Sequence, residues 1–145
     1  MMYKPKVYTA SKLHHARFWR LLRNDPEWDF VDFTARWIDI AEQEQDQPND
    51  DLFREAWIHD VHDIKISDFV LLYAVKEYGL RGALVEVGVG LGIGLTVIAV
   101  GVEREHTWTF HPNVKCLPSL REAKAYLYRF TTMVPPNRRK GRLDE

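Results

Sequence analysis

The chain has 145 residues, a formal net charge of −1 at pH 7 and one cysteine. Its length predicts one domain, which buries about two-thirds of the surface of its unfolded chain. The small net charge gives no reason to expect a nucleic-acid polymer or a membrane as partner, and Cys116 alone excludes an internal disulfide and a multi-cysteine metal site.

The first half of the chain predicts two short strands and a helix between them. Residues 6–10 form a strand candidate, and Ser11 can cap the helix that follows, which the break at Pro26 ends. Weak alternation of apolar and polar residues over 28–33 indicates the second strand. The polar, acidic stretch 41–51 is predicted to be a mobile loop, either a lid over a ligand or a plain solvated loop.

The second half continues to alternate helices with strands. A helix that Asn49 or Asp50 can cap is predicted through Ile64, strands are predicted over 69–74 and 114–117, and a last helix over 118–131. Helices that alternate with strands in this way are typical of a parallel three-layer α/β domain.

The most distinctive stretch, residues 81–101, is almost free of charged side chains. Glycines stand at alternate positions up to Gly94, and β-branched residues dominate from Thr96 onward. The uncharged run is shorter than the ~20 residues of a membrane span, so we interpret it as a helix, a tight turn and a buried strand. Glu86 then lies in the first turn of a helix that begins near Gly82, where the positive helix end stabilises a carboxylate by roughly 0.3–1 kcal/mol.

Two interpretations of this glutamate are open from the residues alone. An ionised carboxylate beside glycines, which let a flat ligand come close, is a suitable nucleophile. Alternatively, Glu86 occupies the helix start only because of the helix dipole, and the glycines serve helix–sheet packing. Physical reasoning alone favours the second interpretation.

The order of several features matches a known pattern: an aspartate before an apolar strand, a variable loop, a Gly-small-x-x-Glu-x-Gly helix start and a glycine turn. The residues at these positions are Asp68, Gly82, Glu86 and Gly94. The pattern also opens with a strand that ends in Tyr-x-Ala-Gly, where this chain has Tyr8-Thr9-Ala10-Ser11. Over about residues 6–127 the chain thus resembles the nucleoside 2-deoxyribosyltransferase superfamily. This implies a flavodoxin-like three-layer domain with a five-stranded parallel sheet.

The resemblance also implies a reaction. In that superfamily the glutamate displaces the base of a (deoxy)nucleoside or nucleotide and forms a glycosyl ester, which a second base or water resolves. Glu86 would be the nucleophile, Tyr8 would hold its carboxylate, and Asp60, at the family spacing of eight residues before Asp68, would assist the leaving base. The resemblance implies no cofactor and no metal. The substrate-binding residues that it implies are Ser11, Lys12, Arg81, Gly82 and Gly88.

The polar helical face around Asp60 has two other interpretations. It could simply be solvated, or His59, His62 and Asp63 could place metal ligands on one helical turn, although the sequence places no further strong ligand beside them. We expect no metal.

Position 80 departs from the superfamily pattern. The transferases proper have an aspartate there and the monophosphate N-hydrolases a serine, whereas this chain has Leu80. Lys12 and Arg81 could bind a phosphate instead. A non-catalytic nucleoside- or nucleotide-binding module that uses the same crevice is therefore the alternative function. For either function the resemblance implies a homodimer or larger assembly.

The remaining predictions concern the ends of the chain and its tryptophans. Residues 1–134 are predicted to form the domain, and 135–145 a basic, flexible tail after a Pro-Pro break. No apolar segment of the signal-peptide kind stands at the N-terminus, so we expect a cytoplasmic protein. Trp108 could stack on a base or fill a subunit interface, whereas Trp37 and Trp57 are expected in the core or an interface.

Overall fold

The computed structural model describes residues 3–76, 79–103, 106–133 and 135. Its strands are Lys6–Ala10 (β1), Asp32–Phe33 (β2), Phe69–Tyr73 (β3), Thr96–Val100 (β4) and Val114–Leu117 (β5). They form one parallel sheet in the order β2-β1-β3-β4-β5. This is the flavodoxin-like order, so the predicted fold class is confirmed.

Helices connect the strands. They are Ala16–Arg23 (α1), Trp37–Asp46 (α2), Asp50–Lys65 (α3), Arg81–Gly92 (α4) and Leu120–Tyr128 (α5). Short 3₁₀ turns lie at Leu13–His15, Pro26–Trp28, Thr107–Phe110 and Arg129–Thr131. The Asn49 side chain caps α3 as predicted, because its Oδ1 accepts the Leu52 N–H at 2.8 Å.

Helices cover both faces of the sheet. Consecutive strand residues point to opposite faces, so the neighbours of two adjacent residues show which helix lies on each face. Val70 points toward α4, where an added Cβ on Gly90 would lie 2.6 Å from Val70 Cγ2. Phe69 points the other way, toward the rings of Tyr126 in α5 and Phe130 just after it, with centroid distances of 6.3 and 5.0 Å. Helices α4 and α5 therefore lie on opposite faces, which gives the predicted three layers. Burial on both faces explains the continuous apolar runs of β3 and β4.

The end of α4 follows the prediction for Gly94. Its φ is +87°, a left-handed conformation that glycine adopts without a Cβ clash. The Gly94 N–H donates to the Leu91 carbonyl at 3.1 Å, and the Leu95 N–H donates to the Gly90 carbonyl at 2.9 Å. These are the two hydrogen bonds of a Schellman cap, which ends the helix and redirects the chain into β4.

Two predictions near the N-terminus are wrong. Residues 28–33 do not form a full strand, since a 3₁₀ turn at Pro26–Trp28 precedes β2, which has only two residues. Ser11 does not cap a helix; its Oγ accepts the Trp19 indole N–H at 2.8 Å, and α1 begins only at Ala16. The buried Trp28 and Val31 anchor an irregular segment to the core, and such anchors produce the same apolar spacing as a strand.

The predicted mobile loop at 41–51 is also wrong, because α2 extends to Asp46 and α3 begins at Asp50. The buried side chains of α2 stand at helical spacing: Trp37, Ile38 and Ala41. On its other side, Glu42 pairs with Arg20 of α1 at 2.5 Å. Asp39 likewise pairs with Arg23 at 2.9 Å. Core packing and the ion pairs to α1 therefore stabilise α2 as a helix, although residues 41–46 are mostly polar.

The last described residue is Pro135. The predicted basic tail lies outside the described residues except for Pro135, which is buried. Among the helices of the described residues, none has both the length and the apolar character that crossing a bilayer requires.

Candidate active site

A cavity of about 310 Å³ opens beside the carboxyl ends of β1 and β3. In this strand order the chain leaves β1 toward one edge of the sheet and β3 toward the other. The gap between two such strands is the switch point at which open α/β sheets bind ligands. The segment after β1, helices α2 and α3, and residues 79–86 around the start of α4 all contribute to its walls.

Glu86 lines this cavity, and the buried Tyr8 lies behind it, outside the lining. Tyr8 pairs in register with Val70, so its side chain points to the same face of the sheet as Val70, toward α4. The Tyr8 hydroxyl donates a hydrogen bond to Oε2 of Glu86. Tyr8 is fully buried, and 6% of the surface of Glu86 is exposed, so the carboxyl group borders the cavity with little contact to solvent. The predicted pairing of Tyr8 with Glu86 is present.

The predicted electrostatics of Glu86 are wrong. It is the sixth residue of α4, whose first turn holds no acidic residue, and the influence of the helix dipole falls off within the first turn. Burial instead raises the pKa of Glu86 from 4.5 to about 8. The carboxyl group is therefore mostly protonated at neutral pH when the cavity holds no ligand.

Asp60, in α3, lines the same cavity. Burial, and then the negative charges of Glu44 and Asp63, raise the pKa of Asp60 from 3.8 to about 7, against the opposing effect of Arg36. Asp63 lies elsewhere, since its carboxylate forms an ion pair with Arg36 at 2.8 Å. Of the predicted polar helical face, Asp60 alone lines the cavity with Glu86.

Four of the predicted substrate-binding residues line the cavity, and one does not. Ser11, Lys12, Arg81 and Gly82 all contribute to its walls. Gly88 lies on the exposed side of α4, away from the cavity, and an added Cβ there would meet nothing within 4 Å. The helical rotation between Glu86 and Gly88 explains this, since residues two apart do not share a face. We therefore remove Gly88 from the site.

Sequence reasoning missed several side chains that line the cavity, among them Glu44, Phe53 and Trp57. Phe53, Trp57 and Asp60 are spaced four and three residues apart, which places them on one side of α3. That spacing could have indicated that Trp57, which is 40% exposed, belongs to the site. Glu44 could not be found, because the segment that carries it was predicted to be a loop.

The metal interpretation of residues 59–63 has no support in the geometry. The His59 ring lies 3.9 Å from the Glu55 carboxylate, and the Asp63 carboxylate forms an ion pair with Arg36. In the described parts of the chain, no three side chains of the kinds that bind metals are placed to share an ion.

The described residues also line two larger cavities. One, of about 680 Å³, lies at the ends of β3 and β4; it shares residues 79–81 with the first and includes His106 and Trp108. The other, of about 800 Å³, lies beside Tyr3, Phe30 and Tyr128. We place the site in the smallest of the three, since Glu86 and Asp60 meet there.

The arrangement combines two chemical capacities in one cavity. A tyrosine hydroxyl positions one carboxyl group, Glu86, which can attack an electrophilic carbon once it is ionised. A second carboxyl group, Asp60, has a pKa near neutrality and can donate a proton.

No protein-family model matches the chain, and no curated protein is significantly similar to it.

Proposed function

We propose that the chain cleaves or transfers the N-glycosidic bond of a (deoxy)nucleoside or nucleotide, with Glu86 as the nucleophile. One observation carries the proposal: the Glu86 carboxyl group, held by Tyr8, lines the same switch-point cavity as Asp60. The cavity volume of about 310 Å³ is within the range of small-molecule sites. The Glu-x-Gly segment resembles that of the nucleoside 2-deoxyribosyltransferase superfamily, which supports the same assignment.

The proposed reaction has two steps. An ionised Glu86 oxygen bonds to the anomeric carbon while the C–N bond breaks, and the electron pair of the C–N bond leaves with the base. Asp60 gives its proton to a ring nitrogen or oxygen of the departing base. In the second step a new base or water attacks the same carbon, gives a proton to the now ionised Asp60, and releases the Glu86 carboxylate. Two displacements at one carbon retain its configuration.

The neighbouring side chains have roles in this scheme. The Tyr8 hydroxyl donates to Glu86 and holds it toward the sugar. The aromatic side chains of Phe53 and Trp57 line the cavity and offer flat apolar surface to a base. Lys12 and Arg81 are the cations of the lining that can pair with a phosphate group.

The second candidate is a nucleoside- or nucleotide-binding module without chemistry. Leu80 lines the cavity, so an apolar side chain stands where the resembled enzymes bind substrate with a polar one. The raised pKa of Glu86 points the same way, because a protonated carboxyl group is a hydrogen-bond donor and a weak nucleophile.

The two candidates differ in a simple experiment. Deoxynucleosides and their 5′-phosphates are incubated with the protein, with and without an acceptor base, and the products are separated chromatographically. We expect release or exchange of the base, and at least ~10²-fold slower reaction for Glu86→Gln. The matched control is Glu55→Gln on α3, whose side chain is 70% exposed and whose rate we expect to be unchanged.

Two outcomes contradict catalysis by Glu86. Base release that Glu86→Gln leaves undiminished assigns the reaction to another group. Tight binding of a nucleotide without any turnover favours the binding module.

A further inference from the structure

Two carboxyl groups from different helices meet in the cavity. Glu44 of α2 and Asp60 of α3 both line it, and the charge of Glu44 acts on Asp60. Glu44 has no part in the reaction proposed above. Its place beside the proton donor suggests a role in recognising the base, an inference that rests on the proposed function.

Each of the two groups holds a proton more strongly than an exposed carboxyl group does. Burial raises the pKa of Glu44, while burial, Glu44 and Asp63 raise that of Asp60 to about 7. Arg36 is the cation that acts on Asp60, and it is already paired with Asp63. When Asp60 carries a proton and Glu44 is ionised, the two groups offer one donor and one acceptor to a ligand in the cavity.

The rest of the lining suits a flat ring. Phe53 and Trp57 expose aromatic surface to the cavity. The Trp37 indole N–H also lies at this wall but is used by the Thr9 carbonyl at 2.7 Å.

Among the other polar side chains of the lining, Lys12 and Arg81 are assigned to a phosphate and Glu86 to the sugar. The Ser11 Oγ already accepts the Trp19 indole N–H. The carboxyl pair is therefore the polar group that we assign to the edge of the base.

We infer that Glu44 and Asp60 together recognise a base with an amino group next to a ring nitrogen, as in adenine or cytosine. Asp60 donates its proton to the ring nitrogen, and the Glu44 carboxylate accepts a hydrogen bond from the amino group. During cleavage the ring keeps the electron pair of the C–N bond, the Asp60 proton neutralises it, and a Glu86 oxygen takes the anomeric carbon. A base with an oxo group in place of the amino group sets an oxygen lone pair against the Glu44 carboxylate, which disfavours its binding.

The test measures affinity, so it does not depend on turnover. In the Glu86→Gln background, the dissociation constants of 2′-deoxyadenosine and 2′-deoxyinosine are measured by calorimetry; adenine has an amino group beside an unprotonated ring nitrogen, whereas hypoxanthine has an oxo group beside a ring N–H. We expect 2′-deoxyadenosine to bind about tenfold more tightly. Adding Glu44→Gln lowers this ratio by about threefold or more, because an amide can either donate or accept, and Asp60 accounts for the preference that remains. Adding Glu55→Gln, remote from the cavity, leaves the ratio unchanged.

The same comparison of 2′-deoxycytidine with 2′-deoxyuridine covers a preference for pyrimidines. Equal affinities within both pairs, no binding of any of the four, or a preference that Glu44→Gln leaves undiminished overturns the inference. Base release that depends on Glu86 but ignores the amino group overturns this inference and leaves the proposed function intact. Selective binding through Glu44 without base release supports this inference and contradicts the proposed catalysis.

Discussion

At the scale of single residues, the protonation of two side chains governs the proposed reaction. Attack needs an ionised Glu86, whose pKa is about 8, and departure of the base needs a protonated Asp60, whose pKa is about 7. At neutral pH the preferred state has the proton on Glu86. Only a minority of molecules hold both groups in the reactive form, and this minority is largest between the two pKa values.

The expected pH dependence follows from these values. The ratio kcat/KM for base release rises with pH to a maximum between about 7 and 8 and then falls, because Asp60 loses the proton that it donates. In Asp60→Asn, we expect kcat/KM to drop by about 10²–10⁴-fold at neutral pH. Its pH profile keeps the rise, which reports the ionisation of Glu86, and loses the fall. Initial rates over pH 5–10 check this.

A substrate that needs no acid provides the control. A 7-methylated purine nucleoside has a positively charged ring, so its base leaves without a proton from the enzyme. We expect Asp60→Asn to cleave it nearly as fast as the unaltered protein does. If the variant is equally slow with both substrates, or keeps the alkaline fall, Asp60 is not the acid.

At the scale of elements, two glycines on α4 have opposite surroundings. A Cβ on Gly90 would lie 2.6 Å from Val70 Cγ2, whereas one on Gly88 would meet nothing within 4 Å. We expect Gly90→Ala to destabilise the fold by ~1–3 kcal/mol through overpacking. Gly88→Ala is expected to stabilise it by roughly 0.5–1 kcal/mol, since alanine favours a helix over glycine. Urea unfolding of both variants measures this.

Activity of the same two variants separates packing from function. Because α4 carries Glu86, we expect Gly90→Ala to slow base release, whereas Gly88→Ala leaves it unchanged. Loss of activity in a stable Gly88→Ala protein would return Gly88 to the site, as the sequence predicted.

Elements were predictable where their signals are local. The buried strands β3 and β4 have apolar runs that require no knowledge of neighbours, and Gly94 marks its own turn. Helix α2 was missed because its segment 41–46 is polar, and what stabilises it is tertiary: the burial of Trp37 and the ion pairs to α1. The short strand β2 is held by pairing with β1, which a sequence pattern does not show.

The candidate site was predictable to a similar extent. The resemblance named Asp60, Glu86 and Tyr8; Asp60 and Glu86 line one cavity, and Tyr8 is hydrogen-bonded to Glu86 behind it. Their environment was not predictable, since burial of Glu86 depends on how α4 lies over the sheet. Glu44 enters the cavity only because α2 is a helix that packs beside α3.

At the scale of the whole molecule, the buried carboxyl groups link stability to pH. A group whose pKa is raised by folding binds its proton more tightly in the folded state, so its contribution is complete below the unfolded pKa and disappears as pH rises through the folded one. For Glu86 this window runs from 4.5 to about 8. Asp60 acts in the same direction between 3.8 and about 7. The protein is therefore expected to lose stability from mildly acidic to mildly alkaline pH.

The contribution of Glu86 is large enough to isolate. A shift from 4.5 to about 8 corresponds to roughly 4–5 kcal/mol, which is comparable to the whole stability of a marginal domain. We expect Glu86→Gln, which cannot ionise, to show a smaller fall in unfolding free energy over this window and to be the more stable protein above pH 8. Denaturant unfolding at steps of one pH unit tests this, with Glu55→Gln as the control that follows the unaltered protein. Parallel curves for Glu86→Gln and the unaltered protein would show that Glu86 is not a buried acid with a raised pKa. Greater stability of the variant, together with its loss of base release, would show that the fold accepts an unfavourable charge at the point where the reaction needs one.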